Sequence, residues 1–280
     1  MLSIQEGYPV AAACELLELQ RSTFYYQSDN VDESELETAI EDIAGRFPTY
    51  GTRRVTQELR RFPYELQVNR KKVRRIMAKK KLLRITKRRK RRTTDSQHPY
   101  PRYPNLVKEL SITRPDQVWV SDITYIRLHQ EHVYLAIIMD VFTRTIRGWC
   151  LSRILDQELT LTALRAALAT LTPEIHHSDQ GVQYAAYAYT DLLKLHGIHI
   201  SMAAAGKAEE NGYAERFMRT IKEEEVYLSE YFNFGDVLQQ IRCFIEDVYN
   251  TKRIHSSLGY LTPAEFEYAW WQSQLTEASP

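Results

Sequence analysis

Residues 118–126, Val-Trp-Val-Ser-Asp-Ile-Thr-Tyr-Ile, read as a β-strand around which the remaining chain is organised. β-Branched and aromatic residues dominate, and neither Gly nor Pro interrupts them. Alternation at a period of two puts Val118, Val120, Asp122, Thr124 and Ile126 on one face and Trp119, Ser121, Ile123 and Tyr125 on the other. Both faces are largely apolar, which predicts a central strand covered on both sides. An ionised carboxylate at Asp122 is costly in such a place without a cation or a metal beside it. The competing reading is an Asp at a strand end, hydrogen-bonded to a loop.

Further strands are expected at 133–139, with Asp140 after it, and at 145–151. A Leu- and Ala-rich helix follows over 157–171, then a short strand at 174–178 that ends in Asp179-Gln-Gly181. A helix over 184–196 stops at Gly197. A last strand spans 198–202, a loop with Gly206 spans 203–210, and helices cover 211–226 and 237–249. Strands followed by alternating helix and strand predict an α/β core with a mixed sheet.

Upstream the texture is different. Residues 8–26 suggest two short helices, the second capped by Ser22, in a helix-turn-helix-like outline or a plain helical hairpin. Asp32 and Glu35 suit a capping box for a helix carrying Leu36, Ile40, Ile43 and Phe47. A second helix over 52–61 turns Val55 and Leu59 inward, and a third starts at Asn69 with Val73, Ile76 and Met77 on its apolar side. Its other face is Arg70, Lys71, Arg74, Arg75 and Lys79. The net charge of the whole chain is only +1, yet Arg70–Arg92 holds fifteen Lys or Arg and no acid, so the remainder is strongly negative. That split predicts a polyanion-binding arm, with the second helix-turn-helix and the run Lys87, Arg88, Arg89, Lys90, Arg91 and Arg92 on nucleic acid. Residues 86–113, with Pro99, Pro101 and Pro104, read as a linker lying extended against DNA.

Cys14, Cys150 and Cys243 are scattered, which suggests neither a zinc site nor a disulfide framework and fits a reducing, intracellular setting. No signal peptide or membrane-length apolar stretch is visible. Expected boundaries are 1–30 for the N-terminal segment, 31–85 for the basic helical module, 86–113 for the linker, 114–270 for the α/β core and 271–280 for a tail.

Three acids stand out: Asp122, Asp179 at the end of a strand, and Glu215 in the helix after the last strand. Asn211, Arg219 and Lys222 share the helix face of Glu215, although an amphipathic surface helix with a Glu–Arg pair would read the same way. Between the acids lie 56 and then 35 residues. With this spacing go the motifs Trp119-Val-Ser-Asp122-Ile-Thr-Tyr125, His177-Ser-Asp179-Gln-Gly-Val-Gln-Tyr184, Glu210-Asn-Gly-Tyr-Ala-Glu215 and Tyr249-Asn-Thr-Lys-Arg-Ile-His-Ser-Ser-Leu-Gly-Tyr-Leu-Thr-Pro263. Together they resemble the D…D–35–E cores of retroviral integrases and bacterial transposases, and most closely the OrfB-type transposases of the third insertion-sequence family. The sequence Gly206-Lys-Ala-Glu-Glu-Asn211 departs from the family's usual Gly-Asn-Cys-Trp-Asp-Asn, and Glu209 and Glu210 miss the 35-residue spacing.

The resemblance implies an RNase H-like fold, a five-stranded mixed sheet flanked by helices, with the Asp122 strand central and next to the Asp179 strand. It implies end cleavage and 3′-hydroxyl strand transfer between DNA molecules. Two Mg²⁺ or Mn²⁺ ions would be held by Asp122, Asp179 and Glu215, with Asp122 shared. Lys222, and more weakly Arg219, would meet a phosphate. Arg253 and His255 are read as DNA contacts or as polar residues closing the core. Implied partners are duplex DNA at element ends and target, further copies of the chain, and an upstream OrfA-type product, in a bacterial cytoplasm at the nucleoid. Two other readings are a DNA-binding regulator with a silent core and a ribonuclease H-type nuclease. Asp140 is expected to serve a turn and His177 to be structural, and Tyr268-Ala-Trp-Trp271 is expected to pack.

Overall fold

The computed structural model describes residues 10–21, 33–84, 100–128, 131–204 and 207–277. Helix α1 (Val10–Leu16) is the first half of the expected N-terminal pair, and the second, after Ser22, lies outside the described residues. Helices α2 (Ser34–Arg46), α3 (Thr52–Glu58) and α4 (Arg70–Lys79) close around Ile40, Ile43, Val55, Leu59, Val73, Ile76 and Met77, all shut off from solvent. Asn69 caps α4: its Oδ1 accepts the Lys71 N–H at 2.8 Å, which satisfies a donor the helix itself cannot. At α2 the cap position is Glu33, without a side-chain bond, and Asp32 lies outside the described residues.

The part of the linker from 100 to 112 does not stand free. Tyr100 and Tyr103 pack on one layer of the core, and Val107, Leu110 and Ile112 on the other. The Leu106 N–H donates to Ser201 Oγ at 2.8 Å. The expectation that this stretch lies along DNA is therefore corrected: its apolar residues bury themselves at home. Residues 86–99 lie outside the described residues.

Strands β1 (Val118–Arg127), β2 (His132–Asp140) and β3 (Ile146–Ser152) form an antiparallel meander. Helix α5 (Gln157–Leu168) leads to β4 (Ile175–Ser178), and α6 (Val182–Ala185) with α7 (Tyr187–Leu195) leads to β5 (His199–Met202). The sheet order is β3-β2-β1-β4-β5, with β4 and β5 parallel to β1. This is the mixed RNase H-like sheet, with β1 central and beside β4. The helix expected over 184–196 is broken into α6 and α7 where Ala186 takes an extended conformation. Gly197, at a φ of +70°, ends α7 in the left-handed region. Gly148 lets α5 lie against β3, since a Cβ there would stand 2.3 Å from the Ala163 carbonyl oxygen.

The two faces of β1 separate as the alternation requires. Trp119 and Ile123 join the layer under α5, α6 and α7. Val118, Val120 and Ile126 join the layer under α8 (Gly212–Ile221) and α9 (Phe234–Cys243), with Ala214, Phe217, Met218, Ile221, Val237 and Ile241. Asp122 thus belongs to the face that α8 covers. After Ile221 the helix runs on as a π-helical turn, Lys222–Val226, and α9 continues similarly over Phe244–Tyr249. Helix α10 (Pro263–Glu277) follows. It seats Trp270 and Phe266 on Phe142 but leaves Tyr268 and Trp271 exposed, so only part of that aromatic cluster packs.

The helical module is joined to the core through the C-terminal motif. Ile254 is buried in the module's own cluster, and its N–H donates to the Tyr50 hydroxyl at 3.0 Å. Arg54 meets Glu224 at 3.4 Å and Arg84 meets Glu223 at 2.7 Å, both acids lying on the extension of α8. Arg61 pairs with Glu265. Among the described residues no helix is long and apolar enough to cross a membrane.

Candidate active site

Strand register brings the two aspartates together. In the parallel β1–β4 pair Val120 faces His177, so carrying the register two residues on sets Asp179 alongside Asp122 on the same face. Adjacent strands run about 4.8 Å apart. Asp122 is half-buried, and its Oδ1 accepts the N–H of Ile123 at 2.8 Å. Burial pushes its carboxyl up to about 8, and the neighbouring charge of Asp179 adds to this; Glu215 adds less, while the Ile123 N–H and the Lys222 ammonium oppose. Asp122 therefore feels both other acids of the set.

Asp179 leaves the end of β4 in a tight turn. Its Oδ1 accepts the Gly181 N–H at 2.9 Å. A Cβ on residue 181 would stand 2.9 Å from that same oxygen. Gly181 has an ordinary φ of −65°, so the requirement is for space, not for backbone freedom.

Glu215 lies in the first turn of α8 and is exposed. One turn before it Asn211 is buried, and its Nδ2 donates to the Ser121 carbonyl at 3.0 Å, the residue beside Asp122. Asn211, expected to touch DNA, is corrected to a clamp that fixes the start of α8 to β1. Lys222 lies half-buried with its Nζ 4.8 Å from the centre of the Tyr125 ring. Burial pulls its ammonium below the usual lysine range, against the pull of Asp122. Arg219 is exposed on the same helix.

For Arg253 and His255 the structure supports the core-closing alternative and corrects the DNA contact. Arg253 is 3% exposed and grips Glu224 with two bonds, Nε to Oε2 at 2.6 Å and Nη2 to Oε1 at 2.7 Å. Its Nη1 donates to His255 Nε2 at 3.1 Å. Burial, then the charges of Arg253, Arg54, Arg144 and Arg216, push His255 down to about 2, so it is a neutral acceptor inside the core. Neither side chain is on offer to a phosphate.

Of the basic module, Arg70, Lys71 and Arg74 are exposed. Arg75 and Lys79 are exposed too, but they pair with Glu33 at 2.5 Å and Glu37 at 2.7 Å from α2. Lys87, Arg88, Arg89, Lys90, Arg91 and Arg92 lie outside the described residues. Asp140 serves a turn, as expected: it accepts the N–H and hydroxyl of Thr143 at 2.7 and 2.6 Å and the Asp116 N–H at 3.0 Å. His177 Nδ1 bonds Ser201 Oγ at 2.8 Å, and His176 Nε2 bonds the Tyr189 hydroxyl at 3.0 Å. Burial pushes the two imidazoles down to about 4 and about 3.

The three acids offer only oxygen donors, the kind that hard divalent cations prefer. A carboxyl that holds its proton to about pH 8 is one whose negative charge lacks compensation, and a divalent cation would supply it. The residues thus fit such an ion chemically. Among the described residues no three or more His, Cys, Asp or Glu side chains stand close enough together to hold a metal ion, so the acids fit one by donor chemistry and not by a ready-made geometry.

Residues 112–208 match the family model for an integrase core domain, residues 196–263 match a second model of that description, and residues 31–91 match an HTH-like domain. The chain is 35% identical over 271 residues to the insertion element IS600 uncharacterized 31 kDa protein of Shigella sonnei, covering 92% of this chain and 98% of that one. It is 31% identical to the transposase for insertion sequence element IS629 of Shigella sonnei, over 96% of this chain and 95% of the other. It is 31% identical to the putative transposase InsK for IS150 of Escherichia coli (strain K12), over 94% and 95%. Among solved structures it is similar to the HTLV-2 integrase catalytic core domain in complex with magnesium, with a TM-score of 0.44 and 16% identity over 55% of this chain and 97% of that one.

Proposed function

We propose, for a chain that belongs to the third insertion-sequence (IS3) family of DDE transposases, that Asp122, Asp179 and Glu215 are its catalytic carboxylates. The protein is a transposase, a polynucleotidyl transferase acting in the transposition of an insertion sequence. Its reaction is cleavage at the element ends, followed by attack of the freed 3′-hydroxyls on phosphodiesters of target DNA.

The observation that supports the assignment is the parallel β1–β4 register, which carried two residues on sets Asp179 beside Asp122, on the face of the sheet against which the helix of Glu215 packs. Cores of this kind generally work with divalent metal ions. Here two Mg²⁺ or Mn²⁺ would be held, Asp122 shared between them and Asp179 and Glu215 each holding one. When bound, the ions neutralise the charge that builds on the entering and leaving oxygens. The chain's own side chains do the rest. The Gly181 N–H orients Asp179, and Asn211 fixes the start of α8, the helix that carries Glu215. Lys222, next to Asp122, meets a phosphate of the DNA, with Arg219 further out.

The partners on this reading are duplex DNA at element ends and target, further copies of the chain, and the product of an upstream reading frame. The setting is the bacterial cytoplasm, at the nucleoid. The test is labelled element-end DNA with a target duplex in Mg²⁺, Mn²⁺ or EDTA. Asp122→Asn is expected to abolish joining while leaving DNA binding intact, and joining by that variant refutes the assignment.

A further inference from the structure

Two sets of basic residues in the helical module differ in what surrounds them, and the exposed Lys71 and Arg74 belong to neither. On the side of α4 that faces α2, Lys72 and Arg75 pair with Glu33 at 3.2 and 2.5 Å, Lys79 with Glu37 at 2.7 Å, and Lys80 with Glu37 and Glu41 at 3.0 and 2.8 Å. Exposed pairs of this kind add little stability. Their effect on recognition is larger, because three carboxylates offset most of the charge of the four cations there and repel an approaching phosphate.

The second set lies around a cleft of about 330 Å³ lined by Arg53, Thr56, Gln57, Arg60, Arg70 and Tyr260. Arg53, Thr56, Gln57 and Arg60 fall at helical spacing on one side of α3 and the turn after it, and Arg70 opens α4. Tyr260 comes from the C-terminal motif and is held in the left-handed region at a φ of +65°. Among the described residues none of the three arginines lies within ion-pair distance of a carboxylate, in contrast to their neighbours Arg54 and Arg61. Three guanidiniums lining one cleft repel one another unless an anion sits between them. Guanidinium forks match phosphate oxygens in pairs, which makes phosphate the fitting anion. The cleft has room for more than one phosphate and suits a stretch of sugar–phosphate chain.

We propose that the Arg53–Arg60–Arg70 cleft binds backbone phosphates of duplex DNA, and that this side, not the Arg75–Lys79 side of α4, is where the module meets nucleic acid. The proposal rests on the transposase reading and adds to it two arginines, Arg53 and Arg60, that the charge run of 70–92 does not contain. Phosphate contacts fix position without reading sequence, so the loss on removing them must be the same for any duplex.

The experiment is fluorescence anisotropy of the full chain with labelled duplexes, an element end and an unrelated sequence, across roughly 50 to 300 mM salt. Arg53→Ala/Arg60→Ala is expected to bind both duplexes about tenfold or more weakly and to flatten the salt slope by about 0.9 for each phosphate no longer neutralised. Arg53→Lys/Arg60→Lys is expected to recover part of the loss, and Arg75→Ala/Lys79→Ala to stay within about twofold of the parent. Circular dichroism and melting of each variant separate weakened binding from a damaged fold. An unchanged slope in Arg53→Ala/Arg60→Ala, or a greater loss in Arg75→Ala/Lys79→Ala, overturns the proposal. Pyrophosphate is the second probe, at constant ionic strength. If the double alanine variant loses pyrophosphate binding but keeps duplex binding, the cleft takes small anions and the DNA assignment is overturned. A parent chain that binds no duplex at any salt overturns the transposase reading and this proposal together, whereas normal binding with an unaltered slope in the variant overturns only this proposal.

Discussion

The backbone N–H of Gly181 donates to Asp179 Oδ1 at 2.9 Å, and the point where a side chain on residue 181 would begin is 2.9 Å from the same oxygen. One residue therefore both holds the carboxylate and leaves room for it. Gly181→Ala is expected to swing the Asp179 carboxylate aside. The backbone angles suit alanine, so melting should change little while joining falls about tenfold or more, as small misplacements of reacting groups do. A joining assay beside a melting curve checks both halves; normal joining removes the role given to Gly181.

Asp122 sets a pH dependence whose sign is fixed. Its folded value, about 8, lies above the ordinary 3.8 because of burial, then Asp179, then Glu215. Between those values the folded chain holds a proton that the unfolded chain has released, so stability falls as pH rises through that window. In EDTA the parent is expected to lose melting temperature against Asp122→Asn on going from about pH 5 to about pH 8, by several degrees. Mg²⁺ should restore the parent at the upper pH and leave the variant unmoved. Parallel melting curves for the two proteins across the range would contradict the raised carboxyl of Asp122.

Glu224 neutralises Arg253 inside the protein, and removing one partner of such a pair leaves the other charged and unpaired. Glu224→Ala is expected to lower stability by about 3–5 kcal/mol in denaturant unfolding. Burial raises the carboxyl of Glu224, but the Arg253 hydrogen bonds and the Arg253 and Arg54 charges outweigh it and hold the group below its ordinary 4.5. Its contribution is thus complete above that value and lost as pH falls through the lower, folded value. A variant as stable as the parent would mean that the pair is not what seats the C-terminal motif.

Lys222 offers a cation next to the paired aspartates. Lys222→Ala is expected to weaken joining at limiting DNA by about ten- to a hundredfold, the value of a hydrogen bond to a charged group, with less loss when DNA is saturating. Lys222→Arg keeps the charge and should keep part of the activity. Equal loss at limiting and saturating DNA would argue against a phosphate contact.

Much of this molecule was legible in its residues, for reasons that differ from part to part. The alternation in 118–126 fixes which face Asp122 shares, because period two leaves no other assignment, and the covered sheet follows. Asn69 is recognisable as a cap because its partner is two residues away. The acids could be picked out by spacing and by the motifs around them, although spacing alone does not distinguish Glu215 on a working helix from a surface glutamate. What stayed hidden depends on distant partners. Arg75 and Glu33 are 42 residues apart, and Arg253 and Glu224 are 29 apart, so neither pairing leaves a local signal. The sequence therefore could not decide between a DNA contact and a core-closing role for Arg253 and His255. The need for Gly181 is invisible for another reason: its backbone is ordinary, and only the position of one oxygen explains it. The packing of 100–112 did have a signal, the apolar Val107, Leu110 and Ile112, which the surrounding prolines obscured.

Glu215 and Glu224 sit on one uninterrupted helical rod, the second locked between Arg54 and Arg253. At 1.5 Å per residue they are about 13 Å apart along its axis. A stiff rod anchored at its far end works as a lever: a tilt imposed by the N-terminal helices at 224 becomes a displacement of Glu215, the proposed third acid. Under the proposed assignments, seating the module on a duplex and aligning the three acids are one mechanical setting.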